Sequence, residues 1–146
     1  MGYSAPQNPT TVLTLGVALA TDDLDNGAVA FDNTTNRDAW AMAELYLGAS
    51  AVDLSSDDAN PVCYLYLIPS YDGTNYGTDG DETNELVPSE YLKGVFEFNK
   101  ETGQQYAVID KFDIGPVKYM AVLFNSFGVT SVPSGATVKI SSFDRA

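Results

Sequence analysis

The side chains best suited to chemistry gather in one stretch, SYDGTNYGTDGDETNE at positions 70–85. There Asp72, Asp79, Asp81, Glu82 and Glu85 are interspersed with glycine, threonine and asparagine, directly after the most apolar run in the chain. Such a segment fits a calcium loop, a cluster of catalytic acids, or a solvated connection between strands. The calcium possibility is the most specific: Asp79, Asp81 and Thr83 stand at positions 1, 3 and 5 of an EF-hand-like loop, Leu86 at the apolar position 8 and Glu90 at the bidentate position 12. Asn84, however, occupies position 6, where the sharp turn needs glycine, Pro88 falls near the end, and helical flanks are missing. The solvated connection is therefore the stronger expectation, and no metal or other cofactor is assigned.

Catalysis has little else to draw on. The chain contains no histidine, which removes Ser-His-Asp and Cys-His nucleophile activation and most zinc sites. Neither phosphate-binding glycine motif occurs, nor a paired C-x-x-C. A glycosidase would need two acids facing each other across a cleft. Glu44 and Glu97 sit inside strand patterns, where the simpler expectation is that they mark the solvent-facing positions. An enzyme is not expected.

Aromatic residues offer a different chemistry, that of contact. Nine tyrosines and seven phenylalanines occur in 146 residues, and Tyr71, Tyr76 and Tyr91 surround the acidic connection. Tyrosine on loops supplies rigid amphipathic surface for a protein partner and can stack on sugar rings. The alternative is that these rings pack the connection onto the body of the fold.

The elements that must position these groups read as strands. In TVLTLGVALA (11–20), Leu13, Leu15, Val17 and Leu19 alternate with smaller or polar residues, the period of a strand with one buried face. DDLDNG (22–27) reads as its turn, with Asn26-Gly27 suited to positive φ. Val29 and Phe31 mark a short second strand. DAWAMAELYLGAS (38–50) has helix-favouring composition, yet as a strand it puts Trp40, Met42, Glu44 and Tyr46 on one face and Ala39, Ala41, Ala43, Leu45 and Leu47 on the other. Its strand-like neighbours favour the strand.

PVCYLYLIPS (61–70) is apolar on both faces, as for a central strand covered from two sides. GVFEF, then QYAVIDKF with Tyr106, Val108 and Phe112 in phase, PVKYMAVLF, and ATVKISSF with Val138 and Ile140 opposite Lys139 complete the set. About eight strands with unequal connections predict an all-β fold, a two-sheet antiparallel β-sandwich of jelly-roll type. Residues 1–11, with Pro6 and Pro9, read as an extended N-terminal arm, and 12–146 as a single sandwich domain.

Composition narrows the partners. Apolar residues form 45% of the chain, enough for a core. Twenty acids against seven bases give a net charge of −13, and the few cations are scattered, so nucleic acid is disfavoured and basic or apolar surfaces are expected. Cys63 stands alone, as a buried thiol within an apolar run. No basic leader followed by an apolar stretch opens the sequence, and no run is long enough to span a bilayer, which predicts assembly in a cytoplasm with no membrane partner.

LIPSYDGTNY (67–76), LKGVFEF (92–98), FDIGPVKYMAVLFNSFGV (112–129) and the closing TVKI strand resemble a group of small virion structural proteins of tailed bacteriophages, over about residues 12–142. The resemblance extends to sandwich proteins that act as capsid decoration, or cement, proteins. It implies a non-enzymatic homotrimer on the outer surface of the head that bridges subunits of the major capsid protein, assembled in the host cytoplasm. A tail, baseplate or head-fibre component binding host glycans is the alternative. Contacts are expected from Tyr3, Pro6 and Pro9 of the arm and from Tyr71, Tyr76 and Tyr91.

Overall fold

The computed structural model describes residues 9–27, 29–57, 60–76 and 87–144. Within them the regular elements are strands, apart from one 3-10 turn at Ser89–Tyr91. In chain order the strands are β1 (Thr10–Thr14), β2 (Leu24–Asn26), β3 (Phe31–Asp32), β4 (Trp40–Tyr46), β5 (Val52–Asp53), β6 (Val62–Ser70), β7 (Leu92–Glu97), β8 (Thr102–Gly103), β9 (Tyr106–Asp113), β10 (Lys118–Ser126) and β11 (Thr137–Phe143). The segment at 38–50 is thus a strand. Its alanines and Leu45 point into the core, and β11 and β9 pair with its two edges, a context that overrides its helical composition.

Every named strand pairing is antiparallel. One sheet has the order β1-β11-β4-β9 and the other β2-β10-β6-β7, with β3 also on β10; β5 and β8 form a separate small pair. With β2 and β3 taken as one interrupted strand and the small pair set aside, eight strands remain, ordered first-eighth-third-sixth in one sheet and second-seventh-fourth-fifth in the other. This is a jelly-roll sandwich. The interior between the sheets is built from Val12, Ala43, Leu45, Val138 and Ile140 on one side and Cys63, Leu65, Phe96, Ala121 and Leu123 on the other.

The strand phases hold with instructive exceptions. Leu13, Leu15 and Leu19 are buried, but Val17 is 76% exposed, because the ladder ends at Thr14 and the chain bends at Gly16 and Val17. Asn26-Gly27 is not a hairpin turn: Asn26 closes β2, opposite Val122 of β10. Gly27 serves close approach instead, since a Cβ there would stand 2.0 Å from the carbonyl oxygen of Val12. Val29 is exposed on the bend before β3.

Tyr106 and Val108 do not share a face with Phe112. Ala41 pairs with Phe112 and Ala43 with Ile109, so β9 carries one extra residue between these pairs. That bulge turns Ala107, Ile109 and Phe112 inward and leaves Tyr106 and Val108 outside. The doubly apolar β6 does lie inside its sheet. Its outer face bears a second apolar cluster, Leu24, Ile68 and Val122, against which Tyr66, Met120, Phe124, Tyr76, Val87 and Tyr91 pack.

Candidate functional site

A groove forms where β6 outlasts its neighbour. The β6–β7 ladder ends at Tyr66 opposite Leu92, whereas β10 accompanies β6 as far as Ser70. The end of β6 supplies Leu67, Pro69 and Tyr71, and the 3-10 turn and start of β7 supply Glu90, Tyr91 and Lys93. The β9–β10 connection and the start of β10 contribute Gly115, Pro116, Val117 and Tyr119, and together these segments enclose about 320 Å³.

Local chemistry fixes each part. Asp72 accepts hydrogen bonds from the N–H of Thr74 (2.8 Å) and of Asn75 (2.7 Å), from Asn75 Nδ2 (2.7 Å) and from Ser70 Oγ (3.1 Å). The turn so built leaves Tyr71 86% exposed at the lip of the groove. Those donors, the backbone ones first, hold the Asp72 carboxyl far below its ordinary range.

Opposite it, the hydroxyl of Tyr119 accepts the Gly115 N–H at 2.6 Å, pinning a nearly buried ring against the β9–β10 connection. Burial raises the Tyr119 phenol pKa, partly offset by that bond. Lys93 Nζ lies 6.0 Å from the Tyr119 ring centroid; burial lowers its ammonium pKa, and the charge of Asp113 acts the other way.

Two of the three loop tyrosines therefore meet at one groove, Tyr71 and Tyr91. Tyr76 packs on the outer cluster of the second sheet, the role of holding the connection to the body, and Tyr91 touches that cluster as well. Of the first half of the acidic segment, Asp72 is spent on its own turn. Asp79, Asp81, Thr83 and Leu86 of the calcium pattern lie outside the described residues, while Glu90 lines the groove. Among the described residues, no group of three His, Cys, Asp or Glu is placed to hold a metal ion. Glu44 and Glu97 are both exposed and belong to different sheets, so they do not form a facing pair.

Pro9 lies elsewhere, beside Met42, Glu44, Val108, Lys139 and Ser141 in a shallow hollow of about 280 Å³ on the outer face of the first sheet. Tyr3 and Pro6 lie outside the described residues. That outer face is unusually aromatic. Tyr46 pairs with Tyr106 across the strands, and Trp40 stands with its centroid 6.2 Å from that of Phe143 and 4.3 Å from Lys111 Nζ. Tyr106 is 66% and Val108 44% exposed.

Sequence reasoning missed Lys93, Pro116 and the place of Tyr119 in the groove wall, which read as strand or turn residues. Their convergence depends on where β7 stops pairing with β6, a long-range register that no local pattern reports. Pro69, inside an apolar strand, was the one local mark that regular pairing ends nearby.

No protein-family model matches the chain, and no curated protein matches it. A solved structure similar to it is the CBM36-1 domain of a multidomain xylanase from the hindgut metagenome of Trinervitermes trinervoides, at 14% sequence identity and a TM-score of 0.42. The match covers 100% of this chain and 91% of that one.

Proposed function

We propose that this protein is a non-enzymatic structural component of a tailed-phage virion, a decoration protein that seats on the outer surface of the capsid and bridges major capsid subunits, acting as a homotrimer. The observation that carries the reading is the outer face of the β1-β11-β4-β9 sheet. A solvated antiparallel sheet normally alternates apolar-in and polar-out, whereas here Trp40, Met42 and Tyr46 of β4, all half-buried, and the exposed Tyr106 and Val108 of β9 turn outward as an aromatic stripe interrupted only by Glu44, which faces Val108 on one side and Lys139 on the other. Large aromatic side chains of this kind are the usual anchors of protein contacts. The stripe would be buried between copies in the trimer, the resemblance to phage virion proteins supplies the capsid on which that trimer seats, and many copies on a lattice multiply a modest contact energy.

The test is reconstitution. Purified protein is added to expanded, undecorated heads and the particles are reconstructed by electron microscopy. Density on the head exterior is expected, with occupancy lost for Val108→Glu combined with Tyr106→Ala, two exposed changes that leave the core intact. A bare head surface, or equal occupancy by the variant, overturns the reading.

The tyrosine groove favours a second reading, a tail, baseplate or head-fibre component that reaches host glycans. Localisation in intact virions separates the two.

A further inference from the structure

We propose that the groove between Tyr71 and Tyr91 is a binding site for an uncharged pyranose unit of a glycan, with Tyr71 as stacking platform and Glu90 and Lys93 as hydrogen-bonding partners. The proposal rests on the second reading's premise that the protein meets carbohydrate, and is independent of where in a particle it sits.

The ligand class follows from what the groove supplies. Tyr71 is 86% exposed although its neighbours Ser70 and Asp72 are tied into a hydrogen-bonded turn, so a flat apolar face is presented to solvent on a fixed support. Beside it stand a carboxylate that only accepts, Glu90, and an ammonium that only donates, Lys93. The walls at Pro69 and Pro116 have no backbone N–H, which leaves donation there to Lys93 and the tyrosine hydroxyls. A pyranose matches this set: one face of the ring is a patch of C–H groups, and its rim carries hydroxyls that both donate and accept.

Charge excludes the neighbouring classes. The charge of Asp113 acts on Lys93, Glu90 lines the same groove, and the chain carries a net charge of −13, so an anionic ligand meets negative surroundings and a cation meets the ammonium. Size is consistent with a short saccharide, since about 320 Å³ lies at the small end of the ~300–1,000 Å³ typical of ligand sites. A proline-rich peptide also favours aromatic grooves, but it needs a longer track than this one.

The experiment is saturation-transfer difference NMR on the whole chain with methyl β-D-glucopyranoside, methyl β-D-galactopyranoside, methyl α-D-mannopyranoside, maltose and cellobiose, and with a proline-rich decapeptide as comparison. At least one glycoside is expected to bind with millimolar affinity, weakened about tenfold or more by Tyr71→Ala and by Glu90→Gln and retained by Tyr71→Phe. Unchanged amide spectra would verify that the variants are folded, and the exposure of Tyr71 makes that the expected result. Glycoside binding untouched by both substitutions overturns the groove while leaving a glycan-binding protein. No saccharide signal up to about 10 mM, or binding of the decapeptide alone, overturns the proposal itself.

Discussion

Asp57 has 4% of its surface exposed, and its carboxylate accepts from the N–H of Val129 (2.8 Å), the N–H of Thr130 (2.7 Å) and the hydroxyl of Thr130 (2.6 Å). It fastens the loop after β5 to the β10–β11 connection, where Phe127 is fully buried. Hydrogen bonds to a charged acceptor are worth more than neutral ones, and although Val129 is exposed, the carboxylate that takes all three bonds is buried. Asp57→Ala is therefore expected to lower the unfolding free energy by about 3 kcal/mol and Asp57→Asn by less, since the amide oxygen still accepts. Urea denaturation measures both. Equal midpoints for wild type and Asp57→Ala would show that the two loops are held by something else.

Cys63 supplies a second check at the same scale: it is fully buried and its thiol pKa is pushed strongly upward by burial. Thiolate is the reactive form, so the native protein should resist dithionitrobenzoate at pH 8 and release one thiol per chain after unfolding in guanidinium. Rapid labelling of the native state would contradict the packing described for β6.

At the level of elements, the two sheets meet most tightly where glycines replace side chains. A Cβ on Gly94 of β7 would lie 2.8 Å from Cγ2 of Ile109 on β9, and on Gly27 it would lie 2.0 Å from a backbone oxygen of β1. Ile109 can shift by a few tenths of an ångström, whereas the Val12 carbonyl moves only with its strand. Gly27→Ala should therefore destabilise more than Gly94→Ala, with about 1–3 kcal/mol expected at Gly94 and a larger loss at Gly27. Thermal melts of the two variants give the order, and the reverse order would mean that β1 is more yielding than its ladder with β11 implies.

A repeated device ends several strands: Asp32, Asp53 and Asp72 each accept the backbone N–H two residues on, from Thr34 (2.9 Å), Ser55 (2.9 Å) and Thr74 (2.8 Å). Asp32 and Asp53 also take the Thr34 and Ser55 hydroxyls. These bonds favour the ionised form and lower all three pKa values below the ordinary 3.8. A depressed folded pKa stabilises above the unfolded value and is lost as pH falls through the folded one. The turns should therefore persist at pH 4 and open only in stronger acid. Carboxyl-carbon NMR titration would find the three midpoints under 3.8, with Asp72 the lowest; an Asp72 midpoint at or above 3.8 would deny the bonds drawn to it.

The alternation of β4 and β11 was legible in the chain because it is local, set by residues two apart, whereas the Asp-x-Ser/Thr turns, equally local, went unread. The bulge in β9 was not legible. Its sequence, YAVIDKFD, is compatible with unbroken alternation, and only the demand that both Ile109 and Phe112 face the core selects the extra residue. Gly27 was legible as special but for the wrong reason, since close packing between β2 and β1 lies in no local pattern.

For the molecule as a whole, the outward aromatic stripe and the net charge of −13 pull in opposite directions. The eight-strand jelly roll leaves one face of each sheet outside. On the second sheet Tyr76, Val87 and Tyr91 pack over that face, while on the first Tyr106 and Val108 remain open. Burying the open stripe in a trimer would gain apolar contact, at roughly 25 cal/mol per Å² removed from water. It would also bring three like-charged bodies together, and that repulsion acts over a Debye length of about 10 Å at 0.1 M salt and ~30 Å at 0.01 M.

Trimer formation should therefore strengthen with ionic strength, opposite to an assembly held by surface ion pairs. Sedimentation velocity at fixed protein concentration is expected to show mostly the 15.7 kDa species at about 10 mM salt and a growing trimer fraction towards about 500 mM. Val108→Glu should hold the protein monomeric throughout, because it removes an apolar side chain and sets a second carboxylate directly opposite Glu44. A monomer at every salt and protein concentration would remove the homotrimer and leave single copies as the bridging unit; a trimer that dissolves as salt rises would move the interface from the aromatic stripe to the charged loops.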